Sequence, residues 1–264
     1  MNKKEGELII QLFRNPLQSY RSIAKEIDVS NSLITYMLRR SYYSPITKDL
    51  VLSITPNFFN LYKSTIVFKE DPGNIPYSLK FKGDNNTFVM IYGKNSNNIT
   101  EILKSQGLTT SNINMRYDPE QLKFNFLSFP KRLMELLIAD PNQVLDYKKL
   151  GEKMNSPPAT IRRYINYFIK NNIIQFFPKI NIEKNNMYLF TLITQNFQLS
   201  MSLLRNYYTI LRPLDNYGLI QGIIYDEEGT ALLDKLKSLD KKVYISIQYK
   251  YETNQTPFIR FLKK

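Results

Sequence analysis

The chain repeats itself, and that repeat constrains the fold more than any other feature. Tyr20, Ile23, Ala24 and Ile27 match Tyr147, Leu150, Gly151 and Met154 in order and spacing. At the same offset Ile34, Met37 and Leu38 fall on Ile161, Tyr164 and Ile165. Further on, the run from Asn60 to Val67 aligns with that from Asn186 to Ile193 at almost the same spacing. A unit of about half the chain is therefore expected twice.

Each half opens with helical periodicity. Leu8, Ile9, Leu12 and Phe13 recur at helical spacing, and Asn15-Pro16 ends that helix because proline disfavours helix in the residue before it. Ser19 is an expected N-cap for a second helix that turns Ile23, Ala24 and Ile27 inward. After the polar turn from Asp28 to Asn31, a third helix is expected to run to about Arg40. The second half follows the same plan. Leu133, Leu136 and Leu137 face inward, Asp140-Pro141-Asn142 closes the helix, and Asp146 caps the next. Pro157-Pro158 then opens a third helix, since proline is tolerated in a first turn. Its apolar face is expected to carry Ile161, Ile165, Phe168 and Ile169. Ala24 and Gly151 occupy equivalent places where the second and third helices should cross, and the crossing favours small residues.

Strand-forming residues follow the helices. Residues 62–69, 87–92 and 113–117 read as strands in the first half, with a helix over 98–106. Residues 187–194, 219–225 and 243–251 do so in the second, with helices over 199–211 and 229–239. Strand, helix, strand, strand, helix, strand is the ferredoxin-like order. Pro72, Gly73, Pro76 and Gly83 argue that the first sandwich helix of the first half is not intact. The expected class is thus α+β: a tandem duplication of a winged helix-turn-helix and a ferredoxin-like domain. The segments are 1–54 and 128–182 for the helix-turn-helix units, and 55–127 and 183–264 for the sandwiches.

Composition narrows the chemistry. The formal net charge is +13, which favours a polyanionic partner, nucleic acid before an anionic membrane surface. With no Cys and no His, thiolate sites, disulfides, familiar serine triads and imidazole metal sites are excluded. No Walker or dinucleotide-type glycine loop occurs, so no cofactor, metal or catalytic residue is expected. The short, interrupted apolar stretch after Met1 reads as an amphipathic helix instead of a signal peptide, so a cytoplasmic location without membrane insertion is expected.

The third helix of each trihelical unit is where base and phosphate contacts are expected. In the first unit its outward set is Ser30, Asn31, Ser32, Thr35, Tyr36, Arg39 and Arg40. In the second it is Thr160, Arg162, Arg163, Asn166, Tyr167 and Lys170. Arginine suits guanine, asparagine suits adenine, and hydroxyls suit either. A solvated helix face has the same polar pattern.

Through Tyr20 to Ser30, Tyr147 to Ser156, and the linker runs Ser53 to Leu61 and Ile180 to Asn186, the chain resembles the Lrp/AsnC (leucine-responsive regulator) family, taken as two units in tandem. That resemblance implies a sequence-specific regulator of transcription that binds double-stranded DNA, with its third helices in the major groove. It implies an internal pseudo-dimer, alone or further paired as a homodimer; with no His and no Cys, enzymatic activity is not expected. Family members often sense a small-molecule effector near a glycine turn. The comparable runs here, Lys82 to Asn86 and Asp215 to Gly218, match that pattern poorly, so no effector residues are assigned. Two other functions are weighed. One is a non-specific architectural DNA-binding protein. The other is a sirohaem decarboxylase-like enzyme; those enzymes resemble the same architecture but rely on histidines that this chain lacks.

Overall fold

The computed structural model describes residues 3–40, 49–119, 121–182, 186–214 and 217–262. Its elements run α1 (Lys3–Arg14), α2 (Tyr20–Glu26), α3 (Asn31–Arg40), β1 (Leu50–Ile54), β2 (Tyr62–Phe68), β3 (Tyr77–Lys82), β4 (Thr87–Gly93), α4 (Ser96–Ser105) and β5 (Ile113–Tyr117). The second half continues with α5 (Ser128–Ala139), α6 (Tyr147–Met154), α7 (Pro158–Lys170), β6 (Ile174–Pro178), β7 (Tyr188–Thr194), α8 (Phe197–Leu203), β8 (Tyr208–Leu214), β9 (Tyr217–Ile224), α9 (Glu227–Leu239) and β10 (Tyr244–Gln248). β11 (Lys250–Thr253) and α10 (Ile259–Leu262) close it. The protein is α+β with antiparallel pairing inside each sandwich sheet.

The expected ferredoxin-like strand order is present in both halves. One sheet reads β10-β7-β9-β8, the other β11-β3-β4-β2-β5. In each, the first sandwich strand lies between the last and the third, as the ferredoxin-like crossover requires. The first half has no helix between β2 and β3, as its prolines and glycines forewarned. A loop takes that place, and the ammonium of Lys80, itself buried, holds it through Asp71 Oδ1 at 3.0 Å and the Gly73 carbonyl at 3.2 Å.

Several expectations change. The helix read over 199–211 is only α8, and Tyr208–Leu214 is strand β8. Leu204 caps α8, and the aromatic and β-branched run that follows pairs with β9. Strands β1, β3 and β6 lie outside the expected ones, and the strand expected over 243–251 is divided into β10 and β11. The first linker contains a 3-10 turn, Pro56–Phe59, ended by Asn60 at φ 57°. The trihelical units are followed by single strands, β1 and β6, which pair with each other as a two-stranded ribbon.

The compact units cross the two halves of the chain. One unit comprises residues 1–47, 81–86 and 178–251; the other comprises 48–80, 87–177 and 252–264. In the first unit α1 lies against β8. The Arg14 guanidinium donates to the carbonyls of Tyr208 (2.8 Å) and Arg205 (2.7 Å) and covers the Tyr208 ring at 4.4 Å. Gly6 lets α1 approach closely, because a Cβ there would meet the Tyr225 ring at 2.2 Å. Burial lowers the Arg14 pKa from its ordinary value, while the phenols of Tyr225 and Tyr251, also buried, are pushed up to about 12. In the second unit, an aromatic cluster joins the β1–β2 linker to α7 and α10. Phe58 stacks on Phe126, Phe168 meets both edge-on, and Phe59 stacks on Phe258 at 4.5 Å. No helix among the described residues is long and apolar enough to cross a membrane.

Candidate nucleic-acid interface

The two helix-turn-helix segments share their turn geometry at corresponding positions. Asp28 (φ 53°) and Asn155 (φ 47°) take the left-handed conformation, which Asp and Asn tolerate better than other non-glycine residues. The next amide donates back into the preceding helix at the same register: Val29 N–H to the Ala24 carbonyl and Ser156 N–H to the Gly151 carbonyl, both 2.9 Å. The expected caps are in place. Ser19 accepts from Ser22 N–H, and Asp146 accepts from the amides of Lys148 and Lys149 at 3.1 Å.

Gly151 has the packing reason its position suggested. A Cβ there would lie 2.6 Å from the Ser156 carbonyl oxygen, a backbone atom that cannot swing away. Gly151→Val is therefore expected to destabilise the α6–α7 turn by about 1–3 kcal/mol, as overpacking does. A denaturation midpoint equal to that of the parent protein would count against this close crossing.

α7 presents two distinct faces. Ile161, Ile165 and Phe168 are fully buried. Arg162, Arg163, Asn166, Tyr167 and Lys170 are exposed, and Thr160 is partly so. Ile169, expected inward, is 38% exposed and lies at the margin of the apolar face. Among the described residues no acidic side chain forms an ion pair with Arg162, Arg163 or Lys170. Arg163 sits beside the Tyr164 ring, 5.9 Å from its centroid. The Tyr147 phenol at the start of α6 is raised by burial, with the charge of Arg162 acting in the opposite direction. Lys148 and Lys149 are exposed on α6, so cations from two helices occur in one module.

α3 is organised differently. Ile34 and Met37 are buried, while Ser30, Asn31, Ser32, Tyr36 and Arg39 are exposed and Thr35 is half-buried. The side chain of Arg40 lies outside the described residues. Several polar groups of this face are used within the helix itself. Ser30 Oγ accepts from Leu33 N–H and shares a hydrogen bond with Ser32 Oγ at 2.9 Å, and the Thr35 hydroxyl donates to the Asn31 carbonyl. The sequence pattern indicated the outward direction of these side chains but held no sign of this local bonding.

At the two places compared with an effector turn, Asp215 and Asn216 lie outside the described residues. At the other, Gly83 is pressed against the Ile247 carbonyl and Asp84 accepts from the Tyr249 hydroxyl at 2.7 Å. That turn is filled by its own chain. Among the described residues no group of three or more acidic side chains gathers to hold a metal ion.

No family model and no curated protein matches the chain. Solved structures do. That of the siroheme decarboxylase NirDL matches with a TM-score of 0.43 and 9% identity, over 98% of this chain and 97% of that one. PH0061 matches over 50% of this chain and 97% of its own, with a TM-score of 0.35 and 18% identity. AsnC of E. coli matches over 48% of this chain and 94% of its own, with a TM-score of 0.31 and 14% identity. The family resemblance read from the sequence thus meets AsnC among these structures, at low identity and over about half the chain. The expectation that the chain has no enzymatic activity is corrected: the match covering nearly its whole length is to an enzyme.

Proposed function

We propose that this protein binds double-stranded DNA as a sequence-specific regulator of the Lrp/AsnC type, with the outer face of α7, and more weakly that of α3, in the major groove. The observation that carries the reading is the two-faced α7. Its apolar side is locked into an aromatic core, while Thr160, Arg162, Arg163, Asn166, Tyr167 and Lys170 remain on the other side. These side chains suit phosphates and base edges. A net charge of +13 supplies long-range attraction to a polyanion.

Selection of bound duplexes from a random pool at physiological salt tests the proposal. Enrichment of a defined motif is expected. Replacing Arg162 and Arg163 together with Ala should then weaken binding to the enriched duplex by at least about tenfold, since one base contact alone is worth about 1–3 kcal/mol. Retained binding by that variant would remove α7 from the interface. Salt-sensitive binding without sequence preference would replace the regulator with an architectural protein. Titration with an iron porphyrin addresses the enzyme reading. A stoichiometric shift of the Soret band, with no duplex bound, would replace DNA binding altogether.

A further inference from the structure

We infer that the two adjacent arginines of α7 have different tasks: Arg163, with Asn166, reads base edges and sets specificity, whereas Arg162 holds a phosphate at the groove wall. The inference deepens the duplex-binding reading above and rests on it. It comes from the rotation of α7 about its own axis, which the buried stripe fixes.

Ile161, Ile165 and Phe168 are fully buried and mark the inward direction. With 3.6 residues per turn, Arg163 stands within about 15° of the direction straight outward, Asn166 at about 45° from it and Arg162 at about 90°. A helix seated in the major groove aims its outward line at the floor, where the base edges lie, and its flanks at the phosphates of the walls. Lys170 shares the outward line but belongs to the last turn, and base contacts come from the N-terminal part of such a helix. Arg163 and Asn166 are three residues apart, a rise of about 4.5 Å, which is near the spacing of about 3.4 Å between successive base pairs. The Arg163 guanidinium rests beside the Tyr164 ring, 5.9 Å from its centroid, a contact that leaves its N–H donors available. Arg162 leans toward α6 instead, where its charge acts on the phenol of Tyr147, the residue before the exposed Lys148 and Lys149. Among the described residues no hydrogen bond or acidic side chain engages the side chains of Arg162, Arg163 or Asn166. Guanine offers N7 and O6 to a guanidinium fork, and adenine offers N6 and N7 to a side-chain amide. A phosphate accepts from any cation and carries no sequence information. The α7 half of the bound site is therefore a guanine with an adenine within about two base pairs of it.

The test uses the full chain and the best duplex from the random-pool selection, with every position of that duplex substituted in turn. Binding is read by fluorescence anisotropy from about 50 to 200 mM salt, a span in which ionic contacts change affinity strongly. Arg163→Ala is expected to weaken the best duplex about tenfold and to abolish discrimination at one guanine position. Asn166→Ala should do the same at the neighbouring adenine. Arg162→Ala should weaken all duplexes alike, keep every preference, and flatten the slope of log affinity against log salt by about 1. Arg162→Lys should restore that slope because lysine keeps the point charge, whereas Arg163→Lys should not restore full discrimination, because the planar fork is lost. Arg162→Ala and Arg163→Ala with indistinguishable effects would overturn the inference, as would loss of a base preference from Arg162→Ala alone. If the parent protein binds no duplex, or all duplexes alike, the reading of a sequence-specific regulator itself fails, and that result appears before any variant is made.

Discussion

Cleavage between the two halves is expected to leave one complex, not two proteins. With a protease site inserted after the exposed Lys123, cutting yields fragments ending and beginning near that residue. Both compact units draw on both fragments. In one, α1 from the first fragment is fastened to β8 from the second by Arg14 and by the close approach at Gly6. In the other, β1 pairs with β6, the amide of Ile54 donates to Gln255 Oε1 at 3.0 Å, and Asn142 Oδ1 accepts from Leu50 N–H at 2.8 Å. Phe59 of the first fragment also stacks on Phe258 of the second. Each unit therefore hides apolar surface that either fragment alone would expose to water, at a cost of about 25 cal/mol per Å². The cut protein should elute as a single species at micromolar concentration and separate only in denaturant. Two peaks under native conditions would mean that each half carries its own complete core.

This exchange was invisible in the sequence for a physical reason. Amphipathic periodicity reports that a helix has a buried face, not which sheet buries it. The same limit explains β1 and β6, each five residues long and each needing a partner from the other half. Local features were legible because local chemistry fixes them. Ser19 and Asp146 cap the helices they were expected to cap, and the absence of the first sandwich helix followed from Pro72, Gly73 and Pro76. The stretch after α8 shows where pattern fails. Leu203, Leu204, Tyr207 and Leu211 recur at helical spacing, yet Thr209 and Ile210 are β-branched and β9 offers an open partner. The sheet decides such a case. For the candidate interface, helical spacing identified the outer faces of α3 and α7. It could not distinguish hydroxyls that cap their own helix from side chains left available to a ligand.

Phe168→Ala is expected to cost about 3–5 kcal/mol, the usual range for removing a buried phenyl ring. It is fully buried and touches Phe58, Phe126, Tyr164 and Tyr167 through ring contacts. The consequence should reach the outer face of the same helix. Arg162, Arg163 and Asn166 hold their directions only because Ile161, Ile165 and Phe168 fix the rotation of α7 about its axis. Removing the last of these anchors frees the C-terminal turns, so the side chains opposite must be ordered again at each binding event. Duplex affinity should therefore fall even under conditions where the variant remains folded, although Phe168 itself never meets solvent. Denaturant unfolding and anisotropy on the same preparation separate the two effects. A variant that loses stability but binds the selected duplex as the parent does would show that α7 is oriented by something other than its aromatic core.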